Sequence, residues 1–137
     1  MPRLYLLDTD TASYVIDRRF PAVDRRLKRL PAASVAISVI TRAELMYGLE
    51  GIQTKHPLRA GVRMFLITVR CLDWDAHAAD WYASIRHRLT VSGQKIGELD
   101  MMIAAHAIAV DAVLVTNNMR HYKRIRPQLD IENWLDA

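Results

Sequence analysis

The chain has 137 residues, of which 51% are hydrophobic and 25% charged, so we expect one globular domain over residues 1–137 rather than a disordered, collagen-like or coiled-coil protein. A single cysteine, Cys71, excludes an internal disulfide framework and a four-thiolate zinc site. The 19 Lys and Arg residues outnumber the 15 Asp and Glu residues, and this Arg-rich balance admits nucleic acid as a partner without requiring it.

Local patterns predict alternating strands and helices along the whole chain. The short apolar run 3–7 stops abruptly at Asp8, and its length favours a buried strand. The predicted elements, in chain order, are strand 3–7, helix 9–17, helix 21–30, strand 35–37, helix 41–49, helix 57–68, strand 69–72, helix 75–92, helix 98–110, strand 112–116 and a closing segment 131–135. This order predicts an α/β domain with a mainly parallel sheet that is covered on both faces.

The N-terminus and the longest apolar runs indicate no targeting or membrane segment. The opening MPRLYLLDTD reaches acidic residues too early for a signal peptide. The apolar runs 35–40 and 103–110 are far shorter than the roughly 18 residues that a membrane-spanning helix needs. We therefore expect a cytoplasmic protein with no membrane partner.

Three carboxylates lie where predicted strands end or predicted helices begin. Asp8 follows the first strand, whereas Glu44 and Asp100 lie near the starts of two helices. Groups at the carboxyl ends of parallel strands converge on one crevice, and neither Asp8 nor Asp100 has an adjacent Lys or Arg. Several carboxylates without a dedicated cation indicate a hard divalent ion, Mg²⁺ or Mn²⁺, held partly by water.

Each of these acids also has a purely structural interpretation. Asp8 fits a helix N-cap, and Asp100 fits an acid that the helix dipole favours. The spacing from Thr41 to Glu44 fits a capping box. These interpretations stay open for the residues taken singly, but three acids at the expected ends of one sheet favour a shared site.

Four segments, in this order, resemble those of the PIN-domain ribonucleases and, more narrowly, the VapC toxins of bacterial toxin–antitoxin pairs. They are LLDT at 6–9, TRAELMYG at 41–48, ELDMMIAA at 98–105 and LVTNN at 114–118, and the closing IENW at 131–134 is also similar. The resemblance covers essentially the whole chain. It implies a PIN-like three-layer domain, in which helices flank a central, mainly parallel sheet of about four or five strands.

The same resemblance implies an endoribonuclease that depends on Mg²⁺, for which Mn²⁺ may substitute. Its catalytic acids would be Asp8, Glu44 and Asp100, with Asp8 and Asp100 as metal ligands. Such metal-assisted hydrolysis uses the ion to activate water and to neutralise charge on the phosphoryl oxygens. The implied substrate is a structured RNA such as tRNA. The implied protein partners are a VapB-like antitoxin and a second copy of the chain. The two copies would form a homodimer, and the homodimer would be part of a larger complex with the antitoxin.

The segment after the last predicted strand departs from the family pattern. Relatives often carry a fourth acid there, whereas this chain has Asn118 and, slightly later, His121. Thr116 is then a candidate for holding a site water. Asp10, where the family commonly has Asn, and Glu98 are further auxiliary candidates.

Two basic clusters are candidates for contact with an RNA backbone. The first is Arg18, Arg19, Arg25, Arg26, Lys28 and Arg29. The second begins two residues after Asn118, beside the predicted acid site, and contains Arg120, Lys123, Arg124 and Arg126. We expect Arg120, Lys123 and Arg124 to contact phosphates, with a solvated helical surface as the alternative for both clusters.

Two other functions are consistent with parts of the sequence. The run Asp8-Thr9-Asp10-Thr11 matches the DxDxT signature of haloacid-dehalogenase-like phosphatases, in which the first Asp would attack phosphorus and the second would transfer protons. The chain has Asn117-Asn118 where that family needs late paired acids. A non-catalytic RNA-binding module is the second alternative, but it leaves the three convergent acids unexplained.

Overall fold

The computed structural model describes residues 3–136. Its strands are β1 (Leu4–Leu7), β2 (Val35–Ser38), β3 (Arg70–Leu72), β4 (Ala112–Val115) and β5 (Asp130–Glu132). Its α-helices are α1 (Thr9–Asp17), α2 (Pro21–Lys28), α3 (Val39–Tyr47), α4 (Pro57–Thr68), α5 (Ala76–Val91), α6 (Glu98–Ala109) and α7 (Met119–Tyr122). Short 3₁₀ turns occupy Ala32–Ser34, Lys123–Ile125 and Trp134–Asp136. No helix in this part of the chain is long and apolar enough to cross a membrane.

All five strands are parallel, in the order β3-β2-β1-β4-β5. The chain adds β2 and β3 on one side of β1, and then returns to add β4 and β5 on the other side. Leu7 at the end of β1 is in register with Ile37 on β2 and with Val115 on β4. The direction of the strand order therefore reverses between β1 and β4, and such a switch point opens a crevice at the carboxyl ends of the strands.

Each face of the sheet is covered by helices, which confirms the predicted three-layer α/β fold. Successive strand residues point to opposite faces. Leu6 and Leu114 pack in the core under α5 and α6, whereas Leu7 and Val115 pack in the core with residues of α1, α2 and α4. The sheet is thus buried on both sides, as its continuous apolar strands predict.

Helix α3 begins at Val39, two residues before the sequence prediction. Ser38, the last residue of β2, caps it: the Ser38 Oγ accepts a hydrogen bond from the Ile40 amide at 3.1 Å. Thr41 therefore lies inside the helix, and the capping-box interpretation of Thr41 and Glu44 is wrong. The two β-branched residues at the helix start hide this boundary, because they favour strand when read locally.

His106 is a buried core histidine, and it connects two helices of the site. It projects from α6, and its Nδ1 lies 2.7 Å from the Ser38 Oγ that caps α3. Burial lowers the pKa of His106, so the neutral ring is favoured inside the core. The bond ties the start of α3 to α6.

Arg26, from the first basic cluster, holds the C-terminal segment instead of facing solvent. Its guanidinium donates to Glu132 of β5 at 3.2 Å and to the Tyr5 hydroxyl at 3.3 Å. It also lies 5.9 Å from the ring centre of Trp134. These contacts join α2 to β5 and to the closing turn, so Arg26 has a structural role.

Candidate active site

Asp8 and Thr116 lie at the switch point, at the carboxyl ends of β1 and β4. The Asp8 side chain is 5% exposed, and its Oδ1 accepts a hydrogen bond from the Thr11 amide at 2.8 Å, which caps α1. The buried Thr116 hydroxyl lies close enough to the Asp8 carboxylate to lower its pKa, and it accepts a hydrogen bond from the Asn118 amide at 2.9 Å. Thr116 therefore lies beside an acid of the site.

Burial raises the pKa of Asp8 from 3.8 to about 6. The hydrogen bonds from Thr116 and Thr11 lower the pKa and only partly offset burial, while the nearby carboxylate of Asp10 raises it further. A buried carboxylate with a raised pKa is costly to ionise. The Asp8 position therefore favours a bound cation.

Glu44 reaches the site from the second turn of α3. Its Oε1 accepts a hydrogen bond from the Thr9 hydroxyl at 2.5 Å, and the Thr9 hydroxyl also lies 3.2 Å from that of Thr41. These contacts hold α3 against the start of α1 and fix the Glu44 carboxylate on Thr9, the residue that follows Asp8. Sequence reasoning did not single out Thr9, although its position directly after Asp8 was a signal that could have identified it.

Asp100 lies in the first turn of α6 and is half-buried. Its Oδ2 would be only 3.4 Å from a Cβ placed on Gly97, the residue before the helix. Burial raises the pKa of Asp100, the charge of Asp10 raises it further, and His121 lowers it. Asp10 and His121 therefore both lie near this carboxylate.

Tyr122 of α7 lies among the three predicted acids, and the sequence analysis did not identify it. The residue is fully buried. Burial is the first cause that raises the pKa of its hydroxyl, and the charges of Asp100, Asp8 and Glu44 raise it further. The fold thus brings Asp8, Glu44 and Asp100 close enough to one buried hydroxyl for their charges to act on it.

No basic side chain neutralises these acids in the part of the chain that the structure describes. The ion pairs between residues 3 and 136 are Arg3–Asp130, Arg19–Asp17, Arg26–Glu132 and Arg86–Glu98. Nor do three His, Cys, Asp or Glu side chains in this range lie close enough together to enclose a metal ion. An ion here would be held by one or two carboxylates with water at its other positions, which is the usual way in which proteins bind Mg²⁺.

The auxiliary candidates divide into two groups. The Asn118 side-chain amide lies 2.8 Å from Nδ1 of His121, and His121 faces Asp100, so this pair borders the acids. Glu98 is exposed and accepts hydrogen bonds from Tyr82 at 2.7 Å and from Arg86 at 3.1 Å. Its carboxylate is therefore engaged with α5 instead of the other acids.

The second basic cluster also divides. The Arg124 guanidinium donates to the backbone carbonyls of Gln94 at 3.3 Å and Lys95 at 3.1 Å, so it anchors the loop before α6. Arg120, Lys123 and Arg126 are exposed, and their side chains have no hydrogen bond or ion pair to residues 3–136. These three therefore remain available for phosphates, including two of the three predicted ones, Arg120 and Lys123.

Comparison with known proteins agrees with this geometry. The PIN domain family model matches residues 5–126. Ribonuclease VapC2 of Rickettsia felis is 37% identical over 132 residues, which cover 96% of this chain and 98% of that protein. The tRNA(fMet)-specific endonuclease VapC of Salmonella typhimurium is 37% identical over 130 residues, which cover 95% of this chain and 97% of that protein.

Solved structures show the same relationship. VapBC2 of Rickettsia felis, bound to a DNA fragment from its promoter, contains a chain with a TM-score of 0.86 and 37% identity, covering 96% of this chain and 98% of that one. DNA-bound VapBC of Salmonella typhimurium contains one with a TM-score of 0.88 and 36% identity, covering 96% and 98%. The chain therefore belongs to the PIN-domain family, in the group that contains the VapC ribonucleases.

Proposed function

We propose that this protein is the endoribonuclease toxin of a toxin–antitoxin pair and that it cleaves RNA with the help of Mg²⁺ or Mn²⁺. The observation that carries the proposal is the buried Asp8 at the switch point, which has no ion pair within residues 3–136 and whose charge, like those of Asp100 and Glu44, acts on the buried Tyr122 hydroxyl. Membership of the PIN-domain family supports it. The family match also disfavours the phosphatase alternative with Asp8 and Asp10, and the convergence of acids disfavours a purely RNA-binding module.

The residues present fit a hard divalent ion. The site offers carboxylate and hydroxyl oxygens, which are the ligands that Mg²⁺ and Mn²⁺ prefer, and burial disfavours the uncompensated charge of Asp8. We assign Asp8 and Asp100 as the ligands. When bound, the ion would supply Lewis acidity toward the phosphodiester.

The chain's own groups position these acids and the substrate. The Thr11 amide fixes the Asp8 carboxylate, the Thr116 hydroxyl lies beside it and lowers its pKa, and the Thr9 hydroxyl fixes Glu44. We expect Arg120 and Lys123, exposed beside the acids, to bind RNA phosphates, because such contacts set the register of the substrate without reading its sequence. A structured RNA such as tRNA is the proposed substrate, by similarity to the Salmonella relative.

We also propose a VapB-like protein as the inhibitor of this chain. An Arg of the inhibitor would form charge-assisted hydrogen bonds with the unpaired acids and displace the metal. A groove of about 240 Å³ beside Glu44, lined by Leu45, Leu58 and Val62, offers room for apolar side chains of the same partner. In the purified complex, Mn²⁺ affinity should fall and cleavage should stop, and an Arg→Ala change in the inhibitor should restore both.

The decisive experiment is RNA cleavage by the purified protein with Mg²⁺ or Mn²⁺. We expect cleavage with metal, none in EDTA, and a loss of at least about a hundredfold for Asp8→Asn, because a metal-site carboxylate is removed. Asp80→Asn, an exposed acid on α5, is the matched control and should cleave normally. Equal rates in EDTA, or for Asp8→Asn, would disprove the proposed function.

A further inference from the structure

Tyr122 is distinguished from the other tyrosines by the state of its hydroxyl. The hydroxyls of Tyr5, Tyr14 and Tyr82 each have a hydrogen-bond partner, namely Arg26, Asn117 and Glu98, and Tyr47 is 80% exposed and open to water. Tyr122 is 0% exposed, and its hydroxyl has no hydrogen-bond partner within residues 3–136. The hydroxyl interacts with the Asp100 carboxylate and lowers its pKa, but the contact lies outside hydrogen-bond geometry.

A phenylalanine would fill the same space without leaving a polar atom unpaired. Buried hydroxyls in proteins are almost always satisfied by protein or by ordered water. The charged groups that act on this hydroxyl are carboxylates, which as anions only accept hydrogen bonds, so the hydroxyl can act toward them only as a donor. Asp100 is half-buried and Asp10 is exposed, so solvent reaches the acids beside the hydroxyl.

We propose that the Tyr122 hydroxyl is a positioning group of the cleavage site, which donates a hydrogen bond to a water molecule shared with the Asp100 carboxylate. The shared water would hold the Asp100 carboxylate in one orientation, ready for a divalent ion. The inference rests on the proposed function, because it assigns Tyr122 a role in the same site.

The test compares Tyr122→Phe with Tyr5→Phe, which is the same chemical change outside the acid site. Three quantities are measured for each: the thermal unfolding midpoint in EDTA, the Mn²⁺ dissociation constant by calorimetry, and kcat for RNA cleavage at saturating Mn²⁺. For Tyr122→Phe we expect an unchanged or higher midpoint, because no protein–protein hydrogen bond is lost. We expect the Mn²⁺ dissociation constant to rise about tenfold and kcat to fall about tenfold, the usual effect of a hydrogen bond to a charged group.

Tyr5→Phe should show the opposite pattern. It loses the bond to Arg26, so its unfolding midpoint should fall while its Mn²⁺ affinity and kcat stay within twofold of the unmodified protein. Tyr122→Phe values that also stay within twofold would overturn the inference. So would a lower midpoint with unchanged Mn²⁺ affinity, since that result indicates a structural role only.

A crystal structure of the metal-free protein separates this inference from the proposed function. We expect an ordered water within hydrogen-bond distance of both the Tyr122 hydroxyl and the Asp100 carboxylate. A Tyr122 hydroxyl without an ordered water within hydrogen-bond distance would overturn the inference, even if the protein cleaves RNA. Absence of cleavage, with the water present and Mn²⁺ affinity dependent on Tyr122, would refute the nuclease proposal and leave the positioning role supported.

Discussion

At the scale of single residues, the buried charge of Asp8, which the proposed function requires, lowers the stability of the folded protein. The carboxylate is 5% exposed and burial raises its pKa to about 6. The folded protein therefore binds this proton more tightly than the unfolded chain does, and the contribution of Asp8 to stability is greatest at low pH. This contribution is lost as the pH rises from about 4 through 6. Asp8 therefore destabilises the metal-free protein most at neutral pH, where the nuclease would work.

We predict that Asp8→Asn stabilises the metal-free protein at pH 7.5 while abolishing cleavage. Asn keeps an acceptor for the Thr11 amide and carries no charge, so the gain in the free energy of unfolding should approach about 3 kcal/mol, from a shift of roughly two pKa units. The gain should disappear near pH 4, where Asp8 is protonated in the folded state. Denaturant titrations in EDTA at both pH values measure it. A variant less stable than the unmodified protein at pH 7.5 would contradict the prediction.

At the scale of elements, α7 and the 3₁₀ turn after it carry arginines with different roles. Arg124 anchors the loop before α6 through two carbonyl contacts, and Arg88 of α5 donates to the Arg124 carbonyl at 3.3 Å. Arg120 is exposed at the start of α7. One arginine thus supports the helix that carries Asp100, and the other is free to meet a phosphate.

We therefore predict that two alanine variants affect different properties, one the stability of the protein and the other its binding of RNA. Arg124→Ala should lower the free energy of unfolding by about 1–2 kcal/mol, because two backbone hydrogen bonds are lost. Arg120→Ala should leave stability unchanged but weaken RNA binding and reduce its salt dependence by about one unit of log–log slope. RNA titrations at several KCl concentrations, in an Asp8→Asn background that prevents cleavage, and thermal unfolding distinguish the two. Equal effects on binding would contradict the assignment.

At the scale of the whole molecule, apolar side chains remain uncovered on neighbouring helices. Met64 and Ile67 of α4 are 64% and 75% exposed, and Ile67 and Met46 of α3 line one groove. On α5, by contrast, Val91 at the last position is the one exposed large hydrophobic residue, at 73%. Exposed apolar patches of this kind mark protein interfaces.

We predict a homodimer in solution, in which the α4 face is buried by a second copy. Light scattering at micromolar concentration should give twice the chain mass of 15.7 kDa. Ile67→Lys should return the mass to that of one chain without lowering the unfolding midpoint, because the side chain is exposed in the monomer. A mass near 15.7 kDa for the unmodified protein would contradict the prediction.

The order of strands and helices up to β4, and the position of the acids in it, could be predicted from the sequence, whereas α7 and β5 were not predicted. Apolar runs that stop at Asp8 and at Thr116 mark strand ends locally, and proline and aspartate mark the helix starts at Pro21 and Asp75. These signals act within a few residues and so survive without tertiary context. Parallel pairing then follows from the alternation of strands and helices, and it brings Asp8 and Asp100 to one edge of the sheet.

The partners of the site residues, in contrast, depend on tertiary contacts. Glu44 bonds Thr9, 35 positions away, instead of capping its own helix, and Ser38 starts α3 with His106 beside it. In the sequence, Tyr122 is one more aromatic residue. That its hydroxyl has no hydrogen-bond partner within residues 3–136 becomes visible only when the neighbouring segments are in place. Such pairings join segments far apart in the chain. They depend on packing geometry, which no local pattern encodes.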